Sequence, residues 1–192
     1  MKILQMLPSL VLGMFFLQVH AQTEMPNGFV KAKLVLPDST VVTGYVKDHI
    51  KKDASLIFLS ETGAVKKTYS GDEIISAEIG AAQFICIRGD FFKIVCTGEL
   101  CFLQKCSDAS RKPTYNGTEA LFISGTPGKP GDYFIYANRV KALKLVSNKT
   151  FASVTASSFA GCTAAIEKAG AVQGDIARLG EAVIIYNNLA GK

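Results

Sequence analysis

The residues best equipped for chemistry in this chain are its five cysteines and two histidines. Cys86, Cys96, Cys101 and Cys106 follow one another as C-x9-C-x4-C-x4-C, and Cys162 stands apart. Thiols can bind zinc, act as nucleophiles or pair as disulfides. Zinc sites use close pairs such as C-x2-C, which this spacing lacks. Alternation along strands would also scatter these cysteines over both faces of a sheet. A cysteine nucleophile needs an imidazole beside it. Only His49 follows residue 21, and nothing in the sequence brings it to a thiol. That leaves small core residues or disulfide partners.

Other patterns carry less. Ser-His-Asp catalysis would also depend on His49, and no G-x-S-x-G elbow accompanies it. Asp72, Glu73, Glu78, Glu99 and Glu119 could supply paired carboxylates for glycoside hydrolysis, although turn and surface positions account for each of them. Arg88-Gly89-Asp90 spells an adhesion tripeptide at a place where a hairpin must turn, which explains the glycine by geometry and the charges by exposure. Gly125-Thr126-Pro127-Gly128-Lys129-Pro130 lacks the spacing of a phosphate loop and reads as a turn. Asn116-Gly117-Thr118 and Asn148-Lys149-Thr150 match the glycosylation sequon. No cofactor or metal is implied.

The elements that must position these residues are short and strand-like. Strand-like runs at Phe29–Leu36 (which alternates), Thr40–Val46, Ser55–Ser60, Ala64–Tyr69 and Ile74–Ile79 are separated by turn residues about every 8–12 positions, the rhythm of an antiparallel meander, sandwich or barrel. Gln83–Cys106 adds three apolar strands with turns at Gly89-Asp90 and Gly98-Glu99. In that register Cys96 faces Cys101 at a separation near that of a disulfide, and this is the expected bridge within the segment. Cys86 and Cys106 share a face two strands apart. A Thr97-Gly98 turn would instead set Cys101 opposite Ile94 and leave the thiols reduced, and a Cys106–Cys162 bridge would depend on how the helices dock. Ser107–Thr118 reads as an exposed loop. Strands follow at Leu121–Ser124, Tyr133–Ala137 and Arg139–Val146. Beyond Ser147 the period changes: Phe159, Cys162, Ile166 and Ala169, then Ile176, Leu179, Val183 and Tyr186, mark two helices. Ser157 or Ser158 could cap the first, and Gly170 and Gly174 separate the pair.

Residues 1–21 have the form of a secretory signal peptide. Lys2 precedes the largely apolar run Ile3–Leu17, and Val19-His20-Ala21 suits a cleavage site between Ala21 and Gln22. The run is too short to span a membrane, and no later segment is long and apolar enough to do so. Cleavage leaves residues 22–192 as one strand-rich domain, with a helical hairpin at about 150–190. Its 20 basic and 16 acidic residues give a mild net charge of +4. The lysines are scattered and not interleaved with aromatics, so no nucleic-acid platform is indicated. An apolar fraction of 48% with 19% charged residues describes a globular chain.

The early unit ending Val42-Thr43-Gly44-Tyr45-Val46, the hairpin Phe91–Leu100, and Phe159…Cys162…Ile166 followed by Tyr186-Asn187-Asn188 give the chain a resemblance. It resembles a broad group of exported, uncharacterised proteins from Bacteroidota. Members often carry an acidic residue before the helical cysteine, where this chain has Gly161. The resemblance implies a strand-rich body, C-terminal helices and a cell-envelope setting, and it transfers no catalytic residue. The fold class expected is α+β, mainly antiparallel β as a sandwich or partly closed barrel, with two C-terminal helices. The expected role is a non-catalytic binding or structural module of the bacterial cell envelope, periplasmic or secreted, with an envelope protein or glycan as partner. The alternative is a carboxylate-dependent hydrolase acting on envelope or extracellular polymers.

Overall fold

A computed structural model describes residues 27–111, 114–116, 119–121 and 125–190. The expected signal peptide and its Ala21–Gln22 cleavage site lie outside the described residues. The strands are β1 (Val30–Val35), β2 (Val41–His49), β3 (Ser55–Ser60), β4 (Lys66–Ser70), β5 (Ser76–Ile79), β6 (Ala82–Ile87), β7 (Asp90–Cys96), β8 (Leu100–Lys105), β9 (Thr114–Asn116), β10 (Glu119–Leu121), β11 (Tyr133–Ala137) and β12 (Ala142–Val146). Ten of them form one antiparallel sheet in the order β12-β11-β8-β7-β6-β5-β1-β2-β3-β4, and β9 and β10 pair apart from it. The first four strands meander, β5 returns to the free side of β1, and a second meander runs on to β8. The chain is thus α+β and mainly antiparallel, built on an open sheet with β4 and β12 at its ends.

The sheet bends sharply. Leu34, Leu56, Phe58, Tyr69, Ala77 and Phe91 belong to one buried cluster, although β4 and β7 are far apart in the strand order. A backbone bridge between Gly71 and Gly89 ties the end of β4 to the β6–β7 turn. A Cβ on Gly71 would meet the Gly89 carbonyl, so this contact needs glycine. One face of β1–β7 therefore curls in on itself.

Further along the sheet the same face is covered by helices. These are α2 (Phe151–Ser158), α3 (Thr163–Ala171), a 3-10 turn (Ile176–Leu179) and α4 (Gly180–Ala190). Phe151, Val154, Phe159, Ala165, Ala169, Leu179 and Val183 pack on Phe102, Ile135 and Val146. The two expected helices correspond to α3 and α4, and α2 precedes them. Phe159 is the C-cap of α2 and not part of the α3 stripe. Ile166, expected inside, is exposed. Small residues take the buried positions instead, because Ala165, Ala169 and Ala182 let the helices approach closely.

Two local features depart from the expected registers. Cys86 pairs with Phe91 and Ile87 with Asp90, so the turn is Arg88-Gly89, not Gly89-Asp90. Both turn residues have left-handed φ, +50° and +80°, which gives a type I′ turn with the twist of the paired strands. In the next hairpin Ile94 faces Leu103 as the Gly98-Glu99 turn requires, but a bulge at Val95 then sets Cys96 opposite Phe102. One extra residue turns the following side chain to the other face. Cys96 accordingly packs in the helix-covered cluster and Cys101 in the cluster on the opposite face. Cys96 and Cys101 are free thiols in this structure, and so are the other cysteines.

The tip of this hairpin is held by α4. Asn187 accepts the Leu100 N–H at 3.0 Å and donates to the Leu100 carbonyl at 2.8 Å, acting as an extra peptide group beside the strand. A Cβ on Gly98 would fall against the Asn187 amide. Asn187→Ala should cost about 1–3 kcal/mol, the penalty for leaving buried backbone groups unpaired. Gly98→Ala should cost a similar amount through the clash, roughly 1–3 kcal/mol. The two losses should be clearly less than additive in the double variant, measured by denaturant midpoints, because both act through one contact.

Candidate functional site

The face of the sheet away from the helices carries Asp90, Phe92 and Ile94 on β7 and Cys101, Leu103 and Lys105 on β8. Alternation therefore drives two opposite charges into an apolar row. The Lys105 ammonium lies 3.0 Å from the Asp90 carboxylate, and both side chains are 0% exposed. Lys105 also donates to the Thr126 carbonyl at 2.7 Å and the Gly128 carbonyl at 3.1 Å, which uses all three of its protons. Asp90 accepts from the Ser107 hydroxyl, the Ala109 N–H, and the Thr126 N–H and hydroxyl at 2.7–3.1 Å. Among the described residues no buried side-chain polar atom lacks a partner. Desolvating two ions is costly, and these hydrogen bonds are what offset it.

This corrects two expectations. The aspartate of Arg88-Gly89-Asp90 is buried and not solvent-exposed, because the turn falls one residue earlier and leaves Asp90 inside β7. Ser107 and Ala109, placed in an exposed loop by the sequence, are buried where they bond the carboxylate. The Pro/Gly loop is likewise more than a connection. Its Gly131 N–H donates to the Lys105 carbonyl, and the Lys105 N–H donates to the Asp132 carbonyl, so the loop's end is strapped to β8. A Cβ on Gly128 would touch Phe134 and Leu145, which places the loop over this apolar face.

On the other face, at the mouth of the curl, lies a cleft of about 360 Å³. Its floor is a row of directly opposed residues across three strands: Phe84 on β6, Lys93 on β7 and Gln104 on β8. Cys106 extends the floor. One wall is Asp48, Ile50 and Lys51, from the end of β2 and the short helix α1 (Ile50–Asp53), and the other is Pro130 and Gly131 from the strapped loop. Asp48 accepts the Ile50 N–H at 2.7 Å and so shapes the first wall. Gln104, in the floor, donates to the Tyr133 hydroxyl at 3.2 Å, which orients the amide. Concave clefts lined by apolar groups and a few polar ones are common places for small-molecule sites.

The thiols near this region are chemically quiet. Burial pushes the Cys86 thiol far above its ordinary value, and the Asp72 and Asp90 carboxylates add to that. Burial also raises Cys106 and Cys96; the Lys93 backbone and ammonium oppose it at Cys106. Raised values keep the thiols protonated and poorly nucleophilic at neutral pH. Cys86 and Cys106 flank Phe91 from the two neighbouring strands, about 9–10 Å apart at the usual strand spacing, too far to bridge. His49 pairs with Asp53 at 3.5 Å, and the cleft wall is made by Asp48 and not by His49.

Sequence reasoning missed Asp90, Lys105 and the cleft. The signal for the ion pair was present, since Lys105 keeps step with Leu103 and Cys101, and Asp90 with Phe92. Replacing Lys105 by Met should destabilise the protein by about 3–5 kcal/mol, because it strands a buried carboxylate. Adding Asp90→Asn should recover part of that loss, as read from urea midpoints. Among the described residues no helix is long and apolar enough to cross a membrane, and no group of three or more His, Cys, Asp or Glu could hold a metal ion. No protein-family model, no curated protein and no solved structure matches this chain.

Proposed function

We propose that this chain is an exported, non-catalytic binding module of the bacterial cell envelope, periplasmic or secreted, and that the cleft at the mouth of the curled sheet receives its partner. The observation that carries this reading is the cleft itself. It interrupts an otherwise packed face between two cores, and its floor combines an aromatic ring, a cation and an amide. The secretory form of residues 1–21 and the resemblance to exported Bacteroidota proteins support the address. The mild net charge and scattered lysines favour a glycan or protein partner over nucleic acid.

The hydrolase alternative would use two carboxylates about 5–10 Å apart in the site. The described lining offers one, Asp48, which is engaged in bonding the Ile50 amide. The binding reading therefore has the better support from the site's chemistry.

Co-sedimentation with insoluble envelope polymer tests it. Residues 22–192 should be retained, and Lys93→Glu should be lost while Lys149→Glu, outside the cleft, stays bound. Equal retention of all three would place the binding surface elsewhere. Release of soluble fragments that disappears in Asp48→Asn would establish the hydrolase instead. N-terminal sequencing of the natural product should begin at Gln22, and an intact Met1 form in the cytosol would contradict the address.

A further inference from the structure

The cleft's chemistry narrows the ligand class, on the reading that this cleft is the binding site. Lys33, Lys67, Lys105 and Lys168 each pair with a carboxylate, at Glu78, Glu73, Asp90 and Glu181. Like several other surface lysines, Lys51 and Lys93, which line the cleft, pair with no carboxylate among the described residues. The single carboxylate at the wall, Asp48, leaves the lining with a positive excess. Beside Lys93 stand the half-buried Phe84 ring on one strand and the Gln104 amide on the next. One N–H of that amide donates to Tyr133, which leaves its carbonyl oxygen as an acceptor and its second N–H as a donor.

This set of groups specifies a ligand with three properties. It carries an anionic head for the ammonium groups. It has a flat apolar patch for the face of Phe84. It has hydroxyl donors, which the Gln104 carbonyl and the free oxygen capacity of Asp48 would accept. We propose that the cleft binds a sugar acid, a uronate unit of an acidic glycan. Its carboxylate sits between Lys93 and Lys51, the C–H face of its ring rests on Phe84, and its hydroxyls donate to Gln104 and Asp48. A plain fatty or aromatic acid would leave those two acceptors unpaired on desolvation, and a neutral sugar would leave the lysines without a counter-charge. Binding is non-covalent and changes no bond.

The test compares isosteric oligosaccharides by titration calorimetry on the 22–192 protein: cellotetraose, its counterpart oxidised to the tetrauronate, and inorganic phosphate. The tetrauronate should bind at least about tenfold more tightly than either of the others, and more weakly as salt rises. Lys93→Gln and Lys51→Gln should each weaken it by about threefold or more, with Lys149→Gln unchanged and all melting temperatures alike. Equal affinity for cellotetraose would overturn the sugar-acid assignment while leaving a glycan-binding cleft standing. Equal affinity for phosphate would show that the site reads charge and not sugar. No binding of the tetrauronate overturns the proposal even if envelope polymer is still retained.

Discussion

The buried pair between Asp90 and Lys105 constrains more of this molecule than any other single contact. An ion pair with no exposure is tolerated only when nearly every lone pair and proton is bonded, and here the bonds come from the two ends of the segment between β8 and β11. Ser107 and Ala109 stand near its start, and Thr126 and Gly128 near its end. The pair therefore works as a clasp. It ties Ser107 and Ala109, just after β8, and Thr126 and Gly128, ahead of β11, to the charged groups of β7 and β8. It also sets Pro130 and Gly131 beside the end of β8, where they form a wall of the cleft.

The two faces of the sheet are stabilised differently, and the proposed binding role rests on the difference. On one face Phe92, Cys101, Leu103 and Phe134 form a buried cluster, with Gly128 of the clasped loop set against Phe134. On the other, a helical layer covers one end and the curl of β1–β7 buries the other. The cleft lies where those two solutions meet. Lys93 and Gln104 occupy strand positions that belong to neither core, so polar side chains can stand there without an unpaired cost. In the proposed account, a fold stabilised at both ends leaves its middle free for binding.

Much of the architecture could be read from the sequence because alternation and turn residues act locally. Val30–Val35 shows the period of two that a half-buried strand requires, and Ser55–Ser60 is a short apolar run bounded by turn residues. The failures are equally local in origin. Arg88 adopts a left-handed conformation usually left to glycine or asparagine, so the turn moved by one residue and carried Asp90 inward. The bulge at Val95 has no signature in a single sequence, yet it decides which face Cys96 occupies. Helix α2 (FASVTASS) is poor in strong helix formers and is held by tertiary packing of Phe151 and Val154. The cleft depends on strands far apart in sequence, and only the bend of the sheet brings Asp48 and Lys51 to face Lys93.

Amide hydrogen exchange tests the clasp most directly. The account predicts that the Ala109 and Thr126 amides, although they lie outside regular strands, exchange as slowly as those of β7 and β8, through unfolding of the whole sheet. Fast exchange at both positions, at the rates of exposed loop amides, would show that the Asp90 carboxylate does not hold these residues. The account of the cleft wall would then fail with it.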